Sequence, residues 1–106
     1  MAWTYLILAG LFEVGFTTSL KFSEGFTRLA PSLAFLVTSG LSFWLLTRAL
    51  QTIPLGTAYA VWTGLGAVGT AIVGILVFKD PATFGRLFFL ALIIASVVGL
   101  KLVSSE

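Results

Sequence analysis

Cysteine and histidine are both absent from the sequence. Without cysteine there is no disulfide framework, no thiol nucleophile and no zinc site of the usual kind. Without histidine the commonest proton carrier near neutral pH is missing, so proton chemistry falls to carboxylates, tyrosine or lysine. Charge is scarce as well: 9% of residues are charged, against about 25% in a soluble domain. The pI of about 9.4 is in the range of nucleic-acid binders. However, Lys21, Arg28, Arg48, Lys79, Arg86 and Lys101 are scattered singly and build no basic patch, which excludes nucleic acid as a partner. No metal-ligand cluster and no G-x-x-x-x-G-K-[ST] loop occur, so no metal, no cofactor and no ATP-driven step is expected. MAWTYLILAG lacks the basic n-region of a signal peptide, and the first apolar segment is expected to stay as a helix.

What the chain does have is apolar residues, 58% of the total, with a mean hydropathy of +1.11. A soluble domain of 106 residues cannot hide so much apolar surface; lipid is the solvent that resolves the difficulty. A spanning helix needs about 20 mainly apolar residues. Four segments qualify, at roughly 2–20, 30–49, 55–78 and 84–103. They are separated by KFSEGFTRLAPS, RALQTIPLGT and FKDPATFGR, whose charges, glycines and prolines stop helices. None of the segments alternates apolar and polar residues as a barrel strand does. The expectation is an all-α integral membrane protein, one four-helix domain over 1–106, with both termini on the same side. Loops one and three carry Lys21, Arg28, Lys79 and Arg86, whereas the other side carries Arg48 and Lys101. So small a positive-inside bias leaves two readings open: loops one and three are cytoplasmic, or the chain inserts both ways.

Four helices make a thin bundle with little room for a cavity, which calls for an oligomer. Ala91, Ala95 and Gly99 recur at every fourth position of the last helix. Such a small-residue stripe lets helices approach closely, and it is the candidate packing surface between subunits.

Glu13 stands in the middle of LILAGLFEVGFTTSLK with no cation one helical step away. A charge there costs about 2.5–3.5 kcal/mol on insertion scales. A carboxyl reduces that cost by holding a proton, the more so beside a second carboxylate, as when two Glu13 of a homodimer face one cavity. A group that holds either a proton or a cation, but not both, is the minimal part of a proton/cation exchanger. The plainer reading is a protonated Glu13 bonded to a neighbouring helix. Gly10, Glu13 and Thr17 share a helical stripe. Gly10 is read as leaving space beside the carboxyl, and Thr17 as a donor to it; Phe16 lies one turn below. On the third helix Tyr59, Trp62, Thr63 and Gly66 share a face, offering ring faces to a cation and polar edges to hydrogen bonds. An interfacial aromatic belt is the alternative for the two aromatics. Ser42 lies mid-span, placed either to orient a carboxylate or to bond the carbonyl four residues back. GLGAVG, residues 64–69, matches the dinucleotide fingerprint by letter. It has no strand before it and lies inside a span, so its glycines serve a kink or a close crossing.

Taken in order, AGLFEV, KFSEGFTRLAPS, SFWLL, PLGTAYAVWTGLGA and GLKL resemble the small multidrug resistance family of four-helix bacterial exporters, over essentially the whole chain. The resemblance implies an antiparallel, dual-topology homodimer in the bacterial inner membrane that exchanges protons for small organic cations by alternating access. In that reading Glu13 binds both competitively, Tyr59 and Trp62 line the cavity, Ser42 bonds Glu13, and Gly64 and Gly66 let the third helix bend. Gly10 and WTGLGAVG resemble the guanidinium-exporting subtype. Phe16, where that subtype has Trp, and GFTTSLKFSEGFTRL resemble the quaternary-ammonium subtype. The third helix supplies more of the cavity wall, so guanidinyl export is the leading expectation and multidrug export the alternative. A non-transporting helical subunit would account for the small-residue stripe but not for Glu13. An enzyme lacks the residues it would need.

Overall fold

The computed structural model describes residues 1–103 and consists of four helices: α1 (Ala2–Phe22), α2 (Leu29–Ala49), α3 (Leu55–Val77) and α4 (Phe84–Val103). Each is long and apolar enough to cross a membrane. α1 runs two residues past the stop read from the sequence, because Lys21 and Phe22 continue the helix and its end is fixed by Ser23. The Ser23 hydroxyl is buried, donates to Leu20 O (2.7 Å) and accepts from the Phe26 N–H (3.1 Å). Glu24, Gly25 and Phe26 then follow with φ of 49°, 73° and 66°. That is one tight left-handed turn, of which only Gly25 is a residue that adopts it freely. Pro31 sits in the first turn of α2, where helix N–H groups have no intrahelical acceptor and its missing donor costs nothing. After α3 the chain reverses at Lys79 (φ 59°), and the Asp80 N–H donates back to Gly74 O (3.0 Å). The left-handed residue just past a helix is usually glycine; here it is lysine.

α1 is the centre of the bundle, packed along α2 and α3, whereas α4 packs chiefly on α3 and meets α1 only near its own C-terminal end. The buried core is gathered at the loop-two end, where Trp3, Leu6, Ala49, Ile53, Ala58 and Val61 interlock. Two cations are held over aromatic rings at that end: Arg48 between Tyr5 and Trp44, 5.5 Å from each centroid, and Lys101 4.9 Å from Trp3. The molecule is a slab of 43 × 35 × 17 Å, and α4 has no buried residue. Ile93 and Val97 of α4 lie against Gly64. Ala91 and Ala95 stand two residues from them, about 200° round the helix, and are exposed, while nothing lies within 4 Å of a Cβ built on Gly99. The small-residue stripe therefore faces away from the subunit's own helices.

Candidate functional site

Glu13 projects from the middle of α1 onto α3. Its carboxyl rests on the backbone of Gly66, so that a Cβ added there would overlap the carboxyl atoms. Oε1 is buried without a hydrogen-bond partner among the described residues. The carboxyl lines an open groove of about 380 Å³ between α1 and α3, together with Thr17, Thr63, Gly66, Ala67, Thr70, Ala71 and Asp80. A mid-span carboxyl on a groove, with one oxygen buried and unbonded and a wall of small and hydroxyl side chains, is placed to hold a proton, and its groove-facing side is where a compact cation would approach.

The structure brings Glu13, Thr17, Thr63 and Gly66 together. It places the remaining candidates beside the groove. Ser42 does not bond the Glu13 carboxyl: it is fully buried, its hydroxyl donates to Ala9 O (2.7 Å) and it accepts from Trp62 Nε1 (3.0 Å). Nor does it bond back along α2. Ala9 O is the carbonyl that takes the Glu13 N–H in an α-helix, so Ser42 reaches Glu13 only through the backbone. The reason is geometric: Ser42 meets α1 one turn above Glu13, and the Glu13 carboxyl itself faces α3. Thr17 departs from expectation in the same way. Its hydroxyl lies 3.0 Å from Glu13 O, 3.1 Å from Val14 O and 2.7 Å from Thr70 Oγ1, tying α1 to α3 instead of to the carboxylate. Gly10 leaves no free space. Leu65 of α3 fills it, 2.8 Å from where a Cβ would stand. α3 is helical without interruption across Gly64 and Gly66, and these glycines receive neighbours: Val97 and Ile93 at Gly64, Glu13 at Gly66.

Tyr59 and Trp62 are adjacent, with centroids 6.0 Å apart, and continue into Phe43 (5.6 Å) and Phe16 (5.9 Å from Phe43). This is a row of rings along the α1–α2–α3 face, and Tyr59 is 58% exposed. Phe16 belongs to this row rather than to the groove. Four groove residues had not been singled out in the sequence: Ala67, Thr70, Ala71 and Asp80. The face read as Tyr59–Gly66 continues by i+4 steps from Thr63 to Ala67 and from Gly66 to Thr70, and following it further would have found these two.

Ser42→Ala would strip the Trp62 N–H of its acceptor and Ala9 O of its side-chain donor. An unsatisfied buried group costs about 1–3 kcal/mol. The expected result is a lower unfolding midpoint in detergent micelles, followed by circular dichroism, and an unchanged midpoint would show that neither bond contributes to stability.

A family model described as Small Multidrug Resistance protein matches residues 1–93. A protein named guanidinium exporter from Yersinia pseudotuberculosis is 52% identical over 104 residues, covering 98% of this chain and all of the relative. Proteins of the same name from Citrobacter freundii and Salmonella typhimurium are each 50% identical over 102 residues, covering 96% of this chain and 97% of theirs.

Proposed function

The chain belongs to the small multidrug resistance family, and on that footing we propose that it is a proton-coupled antiporter that exports guanidinium and related guanidinyl cations. It is a transporter and not an enzyme, a multi-pass protein of the bacterial inner membrane. The observation that carries the reading is Glu13, an ionisable group in mid-span whose buried oxygen has no protein partner. Such a group in a membrane segment is functional by default. Protons and cations compete for it: a proton arriving from outside neutralises the carboxyl, and a cation arriving from inside displaces the proton. A planar guanidinium pairs with both carboxylate oxygens through two parallel N–H donors. The relatives' names support that substrate class.

The working unit is an antiparallel homodimer that alternates between inward- and outward-facing states. Three features favour it: the exposed Ala91–Ala95 surface, the thinness of the subunit, and the near-balance of positive charge between the two sides. Quaternary ammonium export is the second reading. The row Phe16–Phe43–Trp62–Tyr59 favours it, because ring faces attract a cation that donates no hydrogen bonds.

Proteoliposomes under a proton gradient separate the readings. Proton efflux driven by guanidinium, and not by a tetra-alkyl ammonium, is the expected outcome. Efflux driven only by the bulky cation would move the assignment to multidrug export. No efflux with either would leave a non-transporting helical subunit.

A further inference from the structure

Two carboxylates, not one, are seated on α3. Glu13 rests on Gly66, and the Asp80 carboxylate folds back from loop three onto Gly74, where an added Cβ would overlap it. Gly66, Thr70 and Gly74 are spaced four residues apart on one side of α3, so the two seats are about 12 Å apart along the helix. Thr70 lies midway and is hydrogen-bonded to Thr17 across the groove. The groove at Glu13 meets a second one, of about 390 Å³, that opens at the loop-three end of the bundle. The two share Thr17, Thr70 and Asp80 as walls. The outer groove is also lined by Thr18, whose buried hydroxyl has no hydrogen-bond partner among the described residues. Lys21 lines the same mouth but lies over the Phe78 ring, 5.6 Å from its centroid.

We propose that Asp80 and the hydroxyls of Thr18 and Thr70 form an outer cation station, which takes small organic cations at the loop-three mouth before they pass along the threonine-lined groove to Glu13. The passage to Glu13 rests on the function proposed above; binding at Asp80 does not. A cation approaching the membrane loses water before it reaches a mid-span carboxylate. A negative charge at the mouth of a low-dielectric groove raises the local cation concentration there, and hydroxyls replace part of the hydration shell on the way in. Asp80 is held for this role by its own backbone bond to Gly74 O and by the left-handed turn at Lys79. That turn points loop three back over the groove instead of out into solvent.

Two measurements test the station. The first is independent of transport. In Glu13→Gln protein in micelles, guanidinium chloride should produce saturable shifts of the Asp80, Gly74 and Thr70 amide resonances, and these should vanish in the Glu13→Gln/Asp80→Asn double variant. Absence of such shifts, or their persistence in the double variant, overturns the proposal whatever the protein transports. The second is kinetic. Asp80→Asn should raise the guanidinium KM about fivefold at an ionic strength of about 0.01 M, and less than about twofold near 1 M, where screening shortens from roughly 30 to 3 Å. kcat should hold, and Asp80→Glu should restore the KM. Lys21→Gln, which removes the opposing charge, should lower KM about twofold at low salt, giving a second variant of opposite sign. A KM unmoved by both substitutions would reduce Asp80 to a loop-capping residue. Loss of flux in wild type would instead count against the proposed export, and the amide shifts would still decide the station.

Discussion

Replacing Glu13 with glutamine is expected to abolish proton-coupled cation flux while leaving the four helices in place. Glutamine has nearly the same size and still fits over Gly66, so packing between α1 and α3 is retained. What it lacks is charge. It neither releases a proton at working pH nor counters a cation in a low-dielectric groove. Removing one partner of a buried charge pair costs about 3–5 kcal/mol, and each 1.4 kcal/mol is tenfold, so cation affinity should fall by about two to three and a half orders of magnitude. Flux in proteoliposomes should drop to the level of protein-free vesicles. The variant should also become insensitive to pH in guanidinium binding. Wild-type affinity should weaken as pH falls, because protons then occupy the carboxyl. A variant that still exchanged protons for guanidinium would mean that another group couples the two, and the role given to Glu13 would be lost.

Gly66→Ala should nearly silence transport without touching any ionisable group. A methyl at this position overlaps the Glu13 carboxyl, which must swing away from α3 and out of the groove it lines. Displacements of about 1 Å in a positioned group cost on the order of 100-fold in rate. Stability should move the other way, since alanine in place of glycine favours a helix by about 1 kcal/mol. The control is Gly64→Ala, two residues earlier. There the methyl meets Val97 Cγ2 at 2.9 Å and Ile93 at 3.3 Å, and so perturbs the α3–α4 contact while leaving Glu13 alone. Flux lost in Gly66→Ala and largely kept in Gly64→Ala, by the same vesicle assay, is the expected pattern. The reverse would mean that the seat of α4 matters more to transport than the seat of the carboxyl.

The four helices were legible because each is an apolar run of membrane length, cut off by charges, glycine and proline. Glu13 was legible for the opposite reason, as an ionisable group where the surrounding composition makes it costly. The partners of the site were not legible. A helical stripe such as Gly10–Glu13–Thr17 shows which residues share a face, not which neighbour that face meets. Ser42 and Thr17 each have one hydroxyl, and the rotation of α2 and α3 about α1 decides where it goes: to Ala9 and Trp62, and to Thr70 and the α1 backbone. Gly10 looked like free space because the residue that occupies it, Leu65, is 55 positions away in the sequence. Loop one concealed most. Three successive left-handed residues are spelled with a single glycine, and the turn is held by a buried serine that reads as an ordinary polar loop residue.

The slab is 17 Å thick in its shortest dimension, while one helix with its side chains measures about 10–12 Å across. So thin a subunit buries Leu6 and Ser42 completely but leaves Glu13 only half-buried by its own chain. In the proposed homodimer the second subunit supplies the missing wall, so insulation of the carboxyl would be a matter of mass action in two dimensions, set by how many copies share a given area of membrane. Such a dimer would be switched off by dilution with every helix intact.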